Sequence, residues 1–140
     1  MDRPIRSFVQ INRDVLDAVT AHARAEAPNE CCGLLVGTEE RIDESVPTRN
    51  IATSATRYQV DPHEHIALNR SLRESQRAIV GAYHSHPQTA ALPSPTDIAE
   101  AYYPEFVYVI VSIADPAVPE IRAYRIAGGN VDPVRIVPVP

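Results

Sequence analysis

The alternation of apolar and polar positions divides the chain into short strands and two longer helices. Residues 6 to 11 read as a strand. Asn12 or Asp14 then opens an amphipathic helix, in which Val15, Leu16, Val19 and Ala23 recur at helical spacing, and which runs out near Pro28. Leu34-Leu35-Val36, bounded by Gly33 and Gly37, is a compact strand. A second strand over 40 to 48 follows closely enough to form a hairpin with it. Tyr58-Gln59-Val60 reads as a third short strand. Asp61-Pro62 starts the second helix, with an aspartate to cap it and a proline in its first turn. Leu68 and Leu72 lie one turn apart on its buried side, and an end is expected near Gln76. Residues 78 to 84 form an apolar run that suits a strand covered on both faces. Residues 87 to 93 are a loop, Ser94 opens a short helix that ends before Pro104, and Phe106 to Ile113 is the strongest strand in the chain. Ile121 to Ile126 and Val131 to Val137 read as edge strands, the last carrying Pro133, which cannot donate to a ladder. With no repeat, low-complexity tract or internal linker, residues 1–140 are expected to form one α/β domain, a mixed sheet with two main helices and a short third.

Composition narrows the function. The chain has 140 residues, 44% hydrophobic and 22% charged, which is ordinary for a soluble domain with a proper core. Its formal net charge of −5 argues against nucleic acid as a partner. All 13 basic residues are arginine, so the chain offers no side-chain amine for isopeptide attachment. The two cysteines, Cys31 and Cys32, are adjacent, a spacing that rarely permits a bridge, and no disulfide framework exists. Met1-Asp2-Arg3-Pro4 carries no apolar signal segment, and no apolar run approaches the roughly 20 residues of a membrane span. A cytoplasmic protein with no membrane partner is expected.

The chemistry concentrates in two stretches. His84-Ser85-His86-Pro87 is followed, six residues later, by Ser94-Pro95-Thr96-Asp97, and far upstream Glu30 opens the run Cys31-Cys32-Gly33-Leu34-Leu35-Val36-Gly37. Residues two apart on a strand share a face, so both imidazoles can converge on one ion. Two imidazoles and one carboxylate suit zinc with a fourth position for water, whose pKa zinc lowers to about 7. Each piece also has a plainer reading. A lone His-x-His is weak; a second, His63-Glu64-His65, falls at a helix start, where the two side chains do not share a face. Ser94-Pro95-Thr96-Asp97 resembles a helix-capping box, which would itself fix Asp97 in place. Glu30 could be merely solvated, and Cys31 and Cys32 suit small buried hydrophobes better than metal ligands.

Together, Glu30, His84, His86, Ser94 and Asp97 resemble the signature of the JAMM/MPN+ zinc isopeptidase family: a distant glutamate, then His-x-His, seven residues, and Ser-x-x-Asp. The seven are Pro87 to Pro93. Glu30 to Gly37 also resembles the first core strand of that family, and the likeness extends from about residue 8 to 130. It implies a cytidine-deaminase-like fold, a curved mixed sheet flanked by helices, though His-x-Glu and Pro-Cys-x-x-Cys of the zinc deaminases are absent. It implies zinc ligands at His84, His86 and Asp97, a general base at Glu30, and an oxyanion-supporting hydroxyl at Ser94. The implied substrate is a ubiquitin-like protein with a C-terminal Gly-Gly tail, laid against a sheet edge. The short segment from Asp97 to Phe106 is similar to the compact prokaryotic members, which trim sulfur-carrier proteins by releasing cysteine or a C-terminal extension. A non-catalytic module that binds such tails, and a metal-dependent hydrolase of a small amide, are the other readings. Edge strands near 121 to 137 make homodimerisation an expectation.

Overall fold

The computed structural model describes residues 7–140. Its elements run β1 (Phe8–Asn12), α1 (Arg13–Glu26), β2 (Cys32–Gly37), β3 (Arg41–Thr48), α2 (Pro62–Leu72), β4 (Ala78–His86), α3 (Pro95–Ala99), β5 (Val107–Ser112), β6 (Glu120–Ala127) and β7 (Asn130–Val139). Residue 6, the expected first residue of the first strand, lies outside the described residues.

The strands form one mixed sheet in the order β1-β3-β2-β4-β5-β6-β7, closed by a parallel pairing of β7 with β1. The closure corrects the expectation of edge strands at 121 to 137. β6 lies between β5 and β7, and β7 lies between β6 and β1. Pro133 is accommodated opposite Tyr124 in the β6–β7 ladder. The closure is partial along individual strands: β1 pairs β3 at Arg41 and Ile42, whereas residues 44–48 of β3 pair with β2, and residues 130–134 of β7 pair with β6 before 135–139 pair with β1.

Period-2 alternation sorts the strand side chains into two cores. Leu35, Tyr83, Val109 and Ala123 face one way and meet Val15, Val19 and Ala23 of α1. Leu34, Ala82, Tyr108, Ile110 and Tyr124 face the other way, toward Leu68 of α2 and Ile98 of α3. This layering confirms the α/β expectation. Several local expectations change. Asn12 makes no side-chain cap to α1, because its Oδ1 accepts from Arg41 Nε at 2.7 Å. α2 ends at Leu72 rather than Gln76, and it has no fully buried residue; Leu68 is only half-buried. Residues 58 to 60 are not a strand: Val60 makes one isolated bridge to Asn50 in an otherwise irregular loop.

Candidate active site

β4 places the site. Its antiparallel register with β2 sets Cys32 opposite His84 and Leu34 opposite Ala82. His84 and His86 therefore share the face that carries α2 and α3. Beyond the last ladder pair, Ser85 N–H donates to Cys31 O at 3.1 Å, and Cys31 N–H donates to Ser85 Oγ at 2.8 Å. These bonds carry the register one residue further, so Glu30 reaches the level of His86.

Three donor atoms converge there. His84 Nε2 and His86 Nε2 each lie 3.0 Å from the same oxygen, Asp97 Oδ2, and 3.2 Å from one another. All three residues are buried, as is Glu30. Among the described residues this trio is the group of His, Cys, Asp and Glu able to hold a metal. His63 and His65 are not part of it; His65 instead lies against Tyr103, with ring centroids 5.7 Å apart.

The donor set fits a dication. His86 Nδ1 contacts Ala90 O at 2.8 Å, which only an Nδ1–H can satisfy, so Nε2 is the atom that His86 turns to the cluster and that would offer a lone pair to a cation once its proton has left. Ligands 2.0–2.1 Å from one tetrahedral centre stand roughly 3.3 Å apart, close to the spacing observed.

Asp97 is held from two sides. Its carboxylate accepts from Ser94 N–H at 2.9 Å, and its own N–H donates to Ser94 Oγ at 3.0 Å. The structure thus forms the capping box and, with the same residues, directs Asp97 into the cluster. Burial pushes the Asp97 carboxyl up, but hydrogen bonds from His84 and His86 outweigh it and hold the group well below the usual carboxylate range. Burial lowers the pKa of His84, whereas for His86 the contact with Asp97 outweighs burial and raises it.

Glu30 stands apart electrostatically. Its Oε1 is buried and has no hydrogen-bond partner. Burial pushes its carboxyl up to about 8, with His86 opposing and Asp97 adding to the rise. Its main chain is pinned: Glu30 N–H donates to Ser54 O at 2.7 Å, and Glu30 O accepts from Asn50 Nδ2 at 3.0 Å.

Two contributors had no signal in residue spacing. Tyr58 stacks on His84, with centroids 4.2 Å apart and planes at 16°. Asn50 organises the loop that delivers it: Nδ2 donates to Glu30 O and Arg57 O, while Oδ1 accepts from Ala52 N–H and Gln59 N–H. The 87–93 loop is shaped by its carbonyls, with Ser112 Oγ donating to Thr89 O at 2.6 Å and Tyr124 OH to Ala91 O at 2.5 Å. Cys31 and Cys32 are buried free thiols, pushed by burial to about 12 and about 11, and neither joins the donor group.

The model of a family described as prokaryotic homologues of the JAB domain matches residues 12–127. The CysO-cysteine peptidase of Mycobacterium tuberculosis is 40% identical over 131 residues, covering 91% of this chain and 90% of that protein. A desampylase of Haloferax volcanii is 33% identical over 113 residues, covering 76% of this chain and 81% of its own length. Among solved structures, a Desulfitobacterium hafniense protein superposes with a TM-score of 0.87 at 30% identity, covering 94% of this chain and 93% of its own. A JAB1/MPN domain protein of Archaeoglobus fulgidus shares the fold, with a TM-score of 0.61 at 20% identity over 92% of this chain and 99% of its own.

Proposed function

This chain belongs to the family of prokaryotic homologues of the JAB domain, and from that membership we propose that it is a zinc-dependent peptidase acting at the C-terminal glycine of a small ubiquitin-like sulfur carrier. The substrate bond is the amide that joins the Gly-Gly tail to a released cysteine or a longer C-terminal extension. The names of two relatives, a CysO-cysteine peptidase and a desampylase, support this class. The observation that carries the reading is the convergence of His84, His86 and Asp97 beside the unpartnered Oε1 of Glu30.

His84 Nε2, His86 Nε2 and Asp97 Oδ2 would hold the metal. Bound zinc supplies a Lewis acid that acidifies water and polarises a carbonyl. The remaining work falls to the chain. Glu30 takes a proton at Oε1 from the attacking water and returns it to the departing nitrogen; burial favours its protonated form and makes the transfer reversible near neutral pH. The Ser94 hydroxyl accepts from Asp97 N–H, which leaves its own proton free to donate to the oxyanion that develops at the scissile carbonyl. Ala90 O orients His86, and the ring of Tyr58 restrains His84 and shields it from water. The activity is assigned to one domain spanning residues 1–140. A reducing cytoplasm suits its two buried free thiols, and no helix is long and apolar enough to cross a membrane.

The test is direct. The zinc-loaded protein is incubated with a ubiquitin-like carrier that bears one residue or a short extension after Gly-Gly. A mass loss that chelator abolishes is the expected result. Binding without a mass change would replace the enzyme with a tail-binding module.

A further inference from the structure

Glu30 stands just ahead of β2, and its main-chain polar groups bond to the irregular loop between β3 and α2 rather than to a ladder. Glu30 N–H donates to Ser54 O at 2.7 Å, and Glu30 O accepts from Asn50 Nδ2 at 3.0 Å. The same Nδ2 donates to Arg57 O at 3.0 Å, and Asn50 Oδ1 accepts from Gln59 N–H at 2.9 Å. Arg57 O and Gln59 N–H belong to the two peptide groups that flank Tyr58, whose ring stacks on His84. One amide therefore holds the backbone of Glu30 and both peptide groups beside the ring that backs His84.

We propose that Asn50 is a positioning residue for the hydrolysis: its side chain sets the base through the main chain of Glu30, and sets a metal ligand through the seat of Tyr58 on His84. The inference rests on the peptidase reading above and adds to it a residue outside both the ligand group and the base. The chemistry of the amide fits the task. Two carbonyls meet Nδ2, and two N–H groups, those of Ala52 at 3.0 Å and Gln59, meet Oδ1, which fixes the way the amide points. Aspartate would keep the accepting side but turn a second oxygen onto two carbonyls, and glutamine would add a methylene. The loop has little else to shape it. Asn50 makes a single bridge to Val60, Ile51 N–H donates to Gln59 O at 3.0 Å, and Thr53, which donates to Asn50 O at 3.2 Å, turns the chain back with a φ of 47°.

The two effects are separable. Glu30 Oε1 has no hydrogen-bond partner, so no bond at that oxygen corrects a displaced main chain. Misplacing a reacting group by about 1 Å costs on the order of 10²-fold in rate. Losing the ring behind His84 loosens a ligand instead and weakens metal binding. An error at the base is read in kcat, and an error at the ring is read in zinc affinity.

The test compares the full-length parent with Asn50→Asp, Asn50→Ala and Thr56→Ala, the last a change in the same loop at a hydroxyl that meets Ser54 Oγ. Zinc affinity is measured by chelator competition, and kcat and KM on the tailed carrier at saturating zinc. Both Asn50 variants should bind zinc roughly tenfold more weakly. Their kcat should fall about tenfold or more while KM stays within about threefold. Thr56→Ala should match the parent. Double-mutant cycles then separate positioning from a loosened fold. In a Tyr58→Ala background the Asn50 change should cost no further zinc affinity but still lower kcat. In a Glu30→Gln background it should still weaken zinc but cost no further kcat. Parent-like values, loss of only one function, or losses that add in full in both backgrounds would overturn the inference. A measurement on the parent alone stands beside these: by NMR the Asn50 Nδ2 protons should exchange with solvent about tenfold more slowly than those of the exposed Asn69, and equal exchange would overturn the inference whatever the variants do. A parent that leaves the carrier whole would overturn the peptidase reading instead, and the zinc cycle with Tyr58 would then decide alone whether Asn50 seats a ligand.

Discussion

Ser94 and Asp97 hold each other: the Ser94 hydroxyl accepts from the Asp97 main chain at 3.0 Å, and the Asp97 carboxylate accepts from the Ser94 main chain at 2.9 Å. One short motif thus starts α3 and aims at the two imidazoles the carboxylate proposed above as a metal ligand. Ser94→Ala should cost about 1 kcal/mol of stability through the lost cap. If the hydroxyl also supports the oxyanion, kcat should fall on the order of 10²-fold, well beyond what a weakened helix start explains. Ser94→Thr should keep the cap. Melting temperature and kcat measured on the three proteins separate the two roles; a kcat unchanged in Ser94→Ala would leave Ser94 with capping alone.

Tyr58 restrains His84 through ring stacking rather than a hydrogen bond. Tyr58→Ala should lower zinc affinity by roughly 10–100-fold, the usual cost of losing a group that orients a ligand. Tyr58→Phe keeps the ring and should bind zinc like the parent. Competition with a chromogenic chelator measures both. Equal affinity in Tyr58→Ala would show that His84 needs no such support.

Gly33 lies opposite Tyr83 in the β2–β4 ladder, and a Cβ added there would overlap the Tyr83 ring. The ring cannot simply swing away, because it is buried and its OH meets His22 Nδ1 at 2.8 Å. Gly33→Ala should therefore destabilise the protein by about 1–3 kcal/mol, the cost of overpacking a filled core. Shortening the opposing side chain, as in Gly33→Ala with Tyr83→Leu, should recover part of that loss. Chemical denaturation of the parent, single and double variants tests this, and an unaffected single variant would contradict it.

His22 makes the fold sensitive to acid. Burial lowers its pKa below the ordinary 6.5, with Glu26 opposing in part. Above that pH the ring is neutral in folded and unfolded chains and contributes nothing to the pH dependence. As pH falls through 6.5 the unfolded chain takes up a proton that the native ring resists, so stability declines. His22→Gln should flatten this part of the stability profile between pH 7 and 5. The same slope in the variant would assign it to other groups.

Much of the site was legible because short-range geometry builds it. His84 and His86 share a strand face by the two-residue repeat, and the Ser94–Asp97 box closes within one helical turn. The box forms as a cap, and the same contacts aim the Asp97 carboxylate at the two imidazoles. What spacing could not show depends on contacts between distant segments. Barrel closure needs Phe8 beside Arg135, a pairing across nearly the whole chain. Tyr58 reaches His84 only because Asn50, with all four of its amide hydrogen bonds used, folds the loop inward; the apolar pattern around Tyr58 suggested a strand instead. The tautomer of His86 is set by a main-chain carbonyl, Ala90 O, which no side-chain motif encodes.

Glu30→Gln addresses the central claim most directly. It keeps the size of the buried side chain and leaves His84, His86 and Asp97 intact, but it cannot accept the proton. The variant should bind one zinc per chain by elemental analysis and cleave the tailed carrier at least about 10²-fold more slowly than the parent. Full metal content with undiminished cleavage would contradict the assignment of Glu30 as the base.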